Sequence, residues 1–314
     1  MLAPSGLPAG SPRERSDRGV GAGPVPPEVL KKIREVEIRA RVLADELLLG
    51  TYRSTFRGSG LDFEEVREYE PGDDIRSIDW NVTARMGTPY IKKFREDREL
   101  NIFLAVDSSA SSWFGSVTQN KQGLGTEVAA LLALTAMENN DRVGLLRFAS
   151  GMHEWLPSRR GREHLLRVIR ELLVAPARRS RTEISAAARF LTNVTKKRSV
   201  VFLISDFLDV DIDDSIRMLG RKHDVIAVVL GDPRELELPD VGVVALEDAE
   251  TGATAYVDTS DRSLREAYAE RALRRRIDRR RSLAKMKIDV LELSTDKPFV
   301  PALMAFFNAR TRRA

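Results

Sequence analysis

The chain has 314 residues, 42% of them hydrophobic and 31% charged, which is enough for a buried core under a well-solvated surface. Lys and Arg outnumber Asp and Glu by 51 to 47, and a formal net charge of +4 is too small to argue for a nucleic-acid partner by itself. Cysteine is absent, which excludes disulfide staples and thiolate metal sites.

Residues 1–27 mix Gly, Pro, Ser and Arg without an apolar segment and read as a disordered lead, not a secretory signal. Over 28–49, Leu30, Ile33, Val36, Ile38, Val42 and Leu47 recur at near-helical spacing behind Pro27, and Gly50 ends the helix they predict. A polar, basic loop over 51–60 follows. Residues 61–99 are dense in charge and turn formers. There Pro71-Gly72-Asp73-Asp74 signals a turn between two short strand-like pieces, 64–69 and 89–94, as in a small strand-rich insert or subdomain.

From Leu100 the pattern changes. Residues 100–106 are almost continuously apolar and end in a polar loop, as a buried parallel strand does. Helices are expected at 126–137, 162–173, 183–194 and 215–221, alternating with strands at 142–148, 199–205, 224–230 and 241–246. Residues 152–156 pair back on 142–148, and 252–257 adds an edge hairpin. A long basic helix over 263–285, a strand over 288–293 and a helix over 298–308 complete the pattern. Strands alternating with helices predict an α/β fold with a doubly wound, mostly parallel sheet. The expected organisation is a lead over 1–27, a helix and strand-rich segment over 28–99, and an α/β domain over 100–314. No run approaches the roughly 18–20 apolar residues that span a bilayer, and the expected location is the cytoplasm.

Asp107-Ser108-Ser109-Ala110-Ser111 places Asp-x-Ser-x-Ser directly after the first buried strand. Open parallel sheets bind ligands beyond the carboxyl ends of their strands. Asp206 follows the strand over 199–205 on the same edge, and Thr182 opens the helix that feeds it. Mg²⁺ takes six oxygens in octahedral geometry and releases water reluctantly. Ser109, Ser111 and Thr182 offer neutral oxygens, and Asp107 and Asp206 offer charge. Such a set is poor in anionic ligands, so an outside carboxylate would be an attractive further ligand for Mg²⁺, or for Mn²⁺.

These five residues resemble the metal-ion-dependent adhesion site of von Willebrand factor A domains, across about 100–293. The resemblance implies a non-enzymatic protein-binding or adaptor module whose metal bridges to an acidic residue of a partner. A second resemblance covers more of the chain. Residues 67–76 (Arg67-Glu68-Tyr69-Glu70-Pro71-Gly72-Asp73-Asp74-Ile75-Arg76), Ile78-Asp79-Trp80-Asn81, Lys93-Phe94-Arg95-Glu96 and Ser205-Asp206-Phe207 are similar to the signature of the bacterial domain-of-unknown-function 58 family. It implies action beside a MoxR-type AAA+ ATPase in the assembly or maturation of protein complexes. Two positions depart from the adhesion-site pattern: Ser112-Trp113 stands where Met is common, and Arg181 precedes Thr182 where Gly is frequent. The alternative is a metal-dependent hydrolase or phosphotransferase using the Asp107 loop, with Ser109 in place of the second acid such loops carry.

Other features have plainer readings. Glu68, Glu70, Asp73, Asp74 and Asp79 are expected to be turn acids paired with Arg67, Arg76 and Arg85, not a second metal cluster. The arginines of 271–281 are expected on a solvated helix face paired to Glu266, Glu270 and Asp278, with no aromatic ladder for single-stranded nucleic acid. His153, His164 and His223 are dispersed, and no His-Glu-x-x-His is present. Trp80, Trp113 and Trp155 read as core or rim aromatics, with Trp113 beside the metal loop. Gly123 and Gly125 lack the Lys-Ser/Thr that completes a phosphate-binding loop, so no ATP hydrolysis is expected.

Overall fold

The computed structural model describes residues 31, 34, 55, 60–97, 99–174, 182–208 and 213–313. The lead over 1–27 and most of the segment over 28–59 lie outside these residues. Lys31, Arg34 and Thr55 are helical, and the Thr55 hydroxyl reaches the Phe307 carbonyl at 3.2 Å and the Thr311 hydroxyl at 2.8 Å.

The strand-rich segment is a two-stranded antiparallel ribbon, β1 (Gly60–Glu68) with β2 (Tyr90–Asp97). A short helix, α1 (Trp80–Met86), lies between them, capped by the Asp79 carboxylate and ended by Gly87 in the left-handed region at φ 79°. Of the expected basic partners Arg67 pairs with Glu70 and Asp73, while Asp74 and Asp79 cap backbone amides. Asp73 takes a 2.7 Å ion pair from Arg67 and an amide hydrogen bond from Glu70, and Asp74 caps the Arg76 amide. Among the described residues no three acids, histidines or cysteines gather as a metal cluster. Trp80 departs from expectation: it is neither core nor rim but 68% exposed.

The main sheet has the order β10-β7-β6-β3-β4-β5. Its strands are β3 (Asn101–Asp107), β4 (Arg142–Phe148), β5 (Met152–Arg159), β6 (Val200–Ser205), β7 (Asp224–Gly231) and β10 (Asp289–Ser294). All neighbours are parallel except the edge pair β4–β5. Its helices are α2 (Lys121–Glu138), α3 (Arg162–Leu173), α4 (Ile184–Val194), α5 (Asp214–Lys222), α6 (Arg262–Lys285) and the terminal α7 (Phe299–Thr311). The doubly wound α/β architecture read from the alternation is the one observed.

Strands buried on both faces divide their side chains between two cores. Ile102, Leu104 and Val106 of β3 pack with α2, α3 and α7, while Phe103 and Ala105 pack with α4 and α5. Each fully buried Leu or Ile contributes about 1.5–3 kcal/mol relative to exposure, so the central strands are fixed in register by both layers. One strand departs from expectation. β8 (Val243–Glu247) forms the expected hairpin with β9 (Thr254–Asp258), but among the described residues it is a separate, largely exposed ribbon that does not extend the main sheet.

Strand order reverses between β3 and β6: the chain runs from β3 outward to β4, then returns to β6 on β3's other side. Crevices at such switch points open at the carboxyl ends of the strands. Asp107 ends β3 and Asp206 follows β6, so both flank the switch point.

Candidate metal centre

The residues after β3 alternate in direction. Ser108 turns toward β4, its amide and hydroxyl both donating to the Phe148 carbonyl at 2.8 and 3.0 Å. Asp107, Ser109 and Ser111 turn the other way. The Asp107 carboxylate is buried and accepts three hydrogen bonds. Its Oδ1 takes the Ser109 amide at 2.8 Å, and its Oδ2 takes the hydroxyls of Ser205 at 2.7 Å and Thr182 at 3.1 Å. The Ser109 and Ser111 hydroxyls lie 3.1 Å apart. Ser112 ties the loop down, donating to the Ser109 carbonyl at 2.7 Å and to Gln122 at 3.2 Å. Thr182 is carried in by the start of α4, which is anchored by the Glu183 amide on the Ala149 carbonyl at 2.8 Å.

Four of the five residues expected to share a site therefore form one hydrogen-bonded cluster: Asp107, Ser109, Ser111 and Thr182. Asp206 is at the same edge, and its charge acts on Asp107. Burial first, and the Asp206 charge second, push the Asp107 carboxyl above its ordinary pKa, against the hydrogen bonds from Ser205 and Ser109. The turn that aims Asp206 is strained. Phe207, buried at 4% exposure, sits in the left-handed region at φ 53°, a conformation that costs a non-glycine residue about 1–2 kcal/mol. Such strain tends to gather at functional sites.

Asp206 differs from Asp107 in having a cation of its own. Lys121, the first residue of α2, has no exposed side-chain surface, and its ammonium meets Asp206 Oδ2 at 2.7 Å. The same ammonium contacts the Glu235 carboxylate. Burial alone would lower the Lys121 pKa, but Asp206 and Glu235 outweigh it and hold the group protonated. The pairing is structurally necessary. A cation in the first turn of a helix opposes the helix dipole, and a buried one needs opposite charge.

Glu235 is presented by a capping box after β7, its other oxygen accepting the Asp232 amide at 3.1 Å. Asp232 joins this edge to its neighbours, accepting the Ser116 amide at 2.9 Å and the Thr295 hydroxyl at 2.7 Å. Arg279 of α6 adds a second cation, donating to the Asp206 backbone carbonyl at 3.1 Å. A cavity of about 390 Å³ opens beside Asp206 and Glu235, lined also by Arg275, Arg279, Leu293 and Phe299.

Lys121, Glu235 and Ser205 were missed as site residues. The expected helix began at residue 126, whereas α2 begins five residues earlier and brings Lys121 into the edge. Its position depends on Gly125, where an added Cβ would come within 2.9 Å of Leu230 Cδ1. The bare backbone there lets the start of α2 approach β6 and β7 closely.

The basic helix α6 carries the expected exposed pair Arg274–Glu270, while Glu266 pairs with Arg262, outside the 271–281 run. It also bridges to β10 through Arg276 and Glu292. Trp155 belongs to the core, stacked on Phe103 at 5.4 Å and edge-on to Phe190 at 5.1 Å. Trp113 closes the short turn of 3-10 helix at Ala110–Trp113, beside Ser111, and is 39% exposed. His164 donates its Nε2–H to the Val143 carbonyl at 2.8 Å and joins no metal-ligand grouping among the described residues.

An uncharacterized protein of Mycobacterium tuberculosis, Rv1480, is 33% identical to this chain over 292 residues, 92% of each. An uncharacterized Bacillus subtilis protein, YeaD, is 28% identical over 110 residues, 35% of this chain and 25% of its own. Two solved structures overlap the fold modestly. BatB of Bacteroides thetaiotaomicron does so with TM-score 0.44 and 15% identity, over 68% of this chain and 99% of its own. The SpRpn10 VWA domain does so with TM-score 0.38 and 10% identity, over 66% and 94%. The family described as "Protein of unknown function DUF58" matches residues 65–278, about two thirds of the sequence, and the chain belongs to that family.

Proposed function

We propose that this protein is a non-enzymatic adaptor that binds Mg²⁺ (or Mn²⁺) at Asp107, Ser109, Ser111 and Thr182 and uses it to capture an acidic residue of a partner protein. The observation that carries this reading is the state of Asp107. It is a buried carboxylate ringed by hydroxyl oxygens, and no cation pairs with it among the described residues. A buried anion without a counter-charge is costly, and a divalent ion would supply one. The spacing suits such an ion. Ligand oxygens at 2.0–2.1 Å from Mg²⁺ in an octahedron lie about 2.9 Å apart, close to the 3.1 Å of Ser109–Ser111 and of Thr182–Asp107. The bound metal would act as an electrophile toward an incoming carboxylate, while the protein's own residues hold and orient it.

A phosphoryl-transfer role for Asp107 is less well supported. Its Oδ2 accepts two hydroxyl hydrogen bonds and is poorly placed to act as a nucleophile. The family resemblance supports the finer parts of the proposal: a cytoplasmic protein, working with a MoxR-type AAA+ ATPase in assembly or maturation of protein complexes. Among the described residues no helix is long and apolar enough to cross a membrane.

The test is calorimetric titration of Mg²⁺ into the wild type and Asp107→Ala, with partner co-purification in Mg²⁺ and in EDTA. The wild type should bind one Mg²⁺, and Asp107→Ala should lose that binding and the EDTA-sensitive partner while melting cooperatively. Equal capture with and without chelator would refute the proposal.

A further inference from the structure

Both carboxylates at the switch point are buried, yet only one is open to a metal. Asp206 gives Oδ2 to the Lys121 ammonium, while its Oδ1 takes the Leu208 amide at 3.3 Å. Arg279 approaches from the other side through the Asp206 carbonyl. The Lys121 ammonium cannot swing out to solvent without dismantling the start of α2. Its backbone amide is fixed to the Phe114 carbonyl at 3.0 Å, Asn120 caps the helix through the Gly123 amide at 2.7 Å, and the ammonium lies 5.8 Å from the centre of the Phe114 ring. Glu235, the second acceptor, is itself locked by the capping box after β7. The ammonium is thus held from three elements.

We propose that Lys121 is a tethered counter-cation that withdraws Asp206 from the metal centre, leaving Asp107 as its single free carboxylate. The inference rests on the reading of Asp107 as a metal ligand and deepens it, because it names what limits the site's charge. Divalent-cation affinity rises with the number of anionic ligands. A site whose second acid is spent on a lysine holds Mg²⁺ weakly by itself and has more to gain from a partner's carboxylate. Lys121 is a positioning residue here: it touches neither metal nor partner, and acts through Asp206.

The experiment is Mg²⁺ titration by calorimetry on four proteins: wild type, Asp206→Asn, Lys121→Met/Glu235→Gln, and the triple variant that adds Asp206→Asn to the latter pair. The Lys121→Met/Glu235→Gln change removes one charge of each sign, so the net charge of the edge is kept while Asp206 is released. Expected are a change of less than about 3-fold for Asp206→Asn, a tightening of about 10-fold or more for Lys121→Met/Glu235→Gln, and return to wild-type affinity in the triple variant. Asp206→Asn leaves Lys121 paired with Glu235 and supplies an answer even if the double variant fails to fold. A loss of 10-fold or more in Asp206→Asn would mean that Asp206 already serves the metal, and would overturn the inference. So would a cooperatively melting double variant with unchanged affinity. If the wild type shows no Mg²⁺ binding and the double variant does, Lys121 acts as inferred and the adaptor reading fails. If none of the four binds, both fail.

Discussion

Two aspartates face each other across the switch point of one sheet, each in the loop after a buried strand, and their surroundings differ in kind. Asp206 is balanced by an ammonium within 2.7 Å. Asp107 is surrounded by a backbone amide and two hydroxyls, which donate hydrogen bonds but carry no charge. Hydrogen bonds satisfy the lone pairs of a buried carboxylate, but they do not cancel its charge. The difference teaches where an added cation belongs: at the aspartate whose polar neighbours are neutral. His223 extends the comparison to a buried ring: it is 2% exposed, and among the described residues neither ring nitrogen has a hydrogen-bond partner.

The comparison is broken most directly at Lys121. Replacing it alone with Met strands two carboxylates, Asp206 and Glu235, at a buried edge. Removing one partner of a buried ion pair costs about 3–5 kcal/mol, and Lys121→Met should lose that much in urea or guanidinium unfolding of the metal-free protein. A loss under about 1 kcal/mol would show that the ammonium is not the counter-charge of Asp206.

His223 tests the opposite limit. Burial first, then the charges of Lys222 and Arg198, lower its pKa from 6.5 to about 4. Between those values the unfolded chain binds the proton and the folded one does not, so stability falls as pH drops from 6.5 toward 4. The full shift corresponds to at most about 3 kcal/mol. His223→Leu should flatten that part of the stability profile. A profile unchanged by the substitution would mean that the imidazole finds compensation where none is described.

The contrast between the two aspartates was only half legible in the sequence. The strands ending in Asp107 and Phe148 were readable almost to the residue, because continuous apolar runs leave no alternative face to expose. The convergence of Asp107, Ser109 and Ser111 was readable from alternation after a strand, and the placement of Thr182 and Asp206 at the same edge from where their elements begin or end. Lys121 was not. In sequence it is a lysine ahead of two glycines, which disguise a helix start, and its partners lie 85 and 114 residues away. Local patterns encode which face is apolar. They do not encode which acid a buried cation will meet. The same limit explains β8, whose strand and hairpin character were evident while its separation from the main sheet was not.

The smallest expected effect separates charge from hydrogen bonding at Asp107 itself. Asparagine keeps the size and an acceptor oxygen, and removes the charge that burial and Asp206 make costly. The Ser205 and Thr182 hydroxyls can rotate to accept from the new amide or donate to its oxygen. Without metal, Asp107→Asn should therefore be more stable than the wild type, by about 1 kcal/mol as a scale set by the polar burial that is relieved. Saturating Mg²⁺ should reverse the order, since a ligand stabilises only the form that binds it, by about 2.7 kcal/mol at a hundredfold excess over its dissociation constant. Thermal melts of both proteins in EDTA and in Mg²⁺ supply the four values. Asp107→Asn less stable than the wild type in EDTA would mean that the hydroxyls and the Ser109 amide already offset the charge, and the distinction between the two aspartates would be lost.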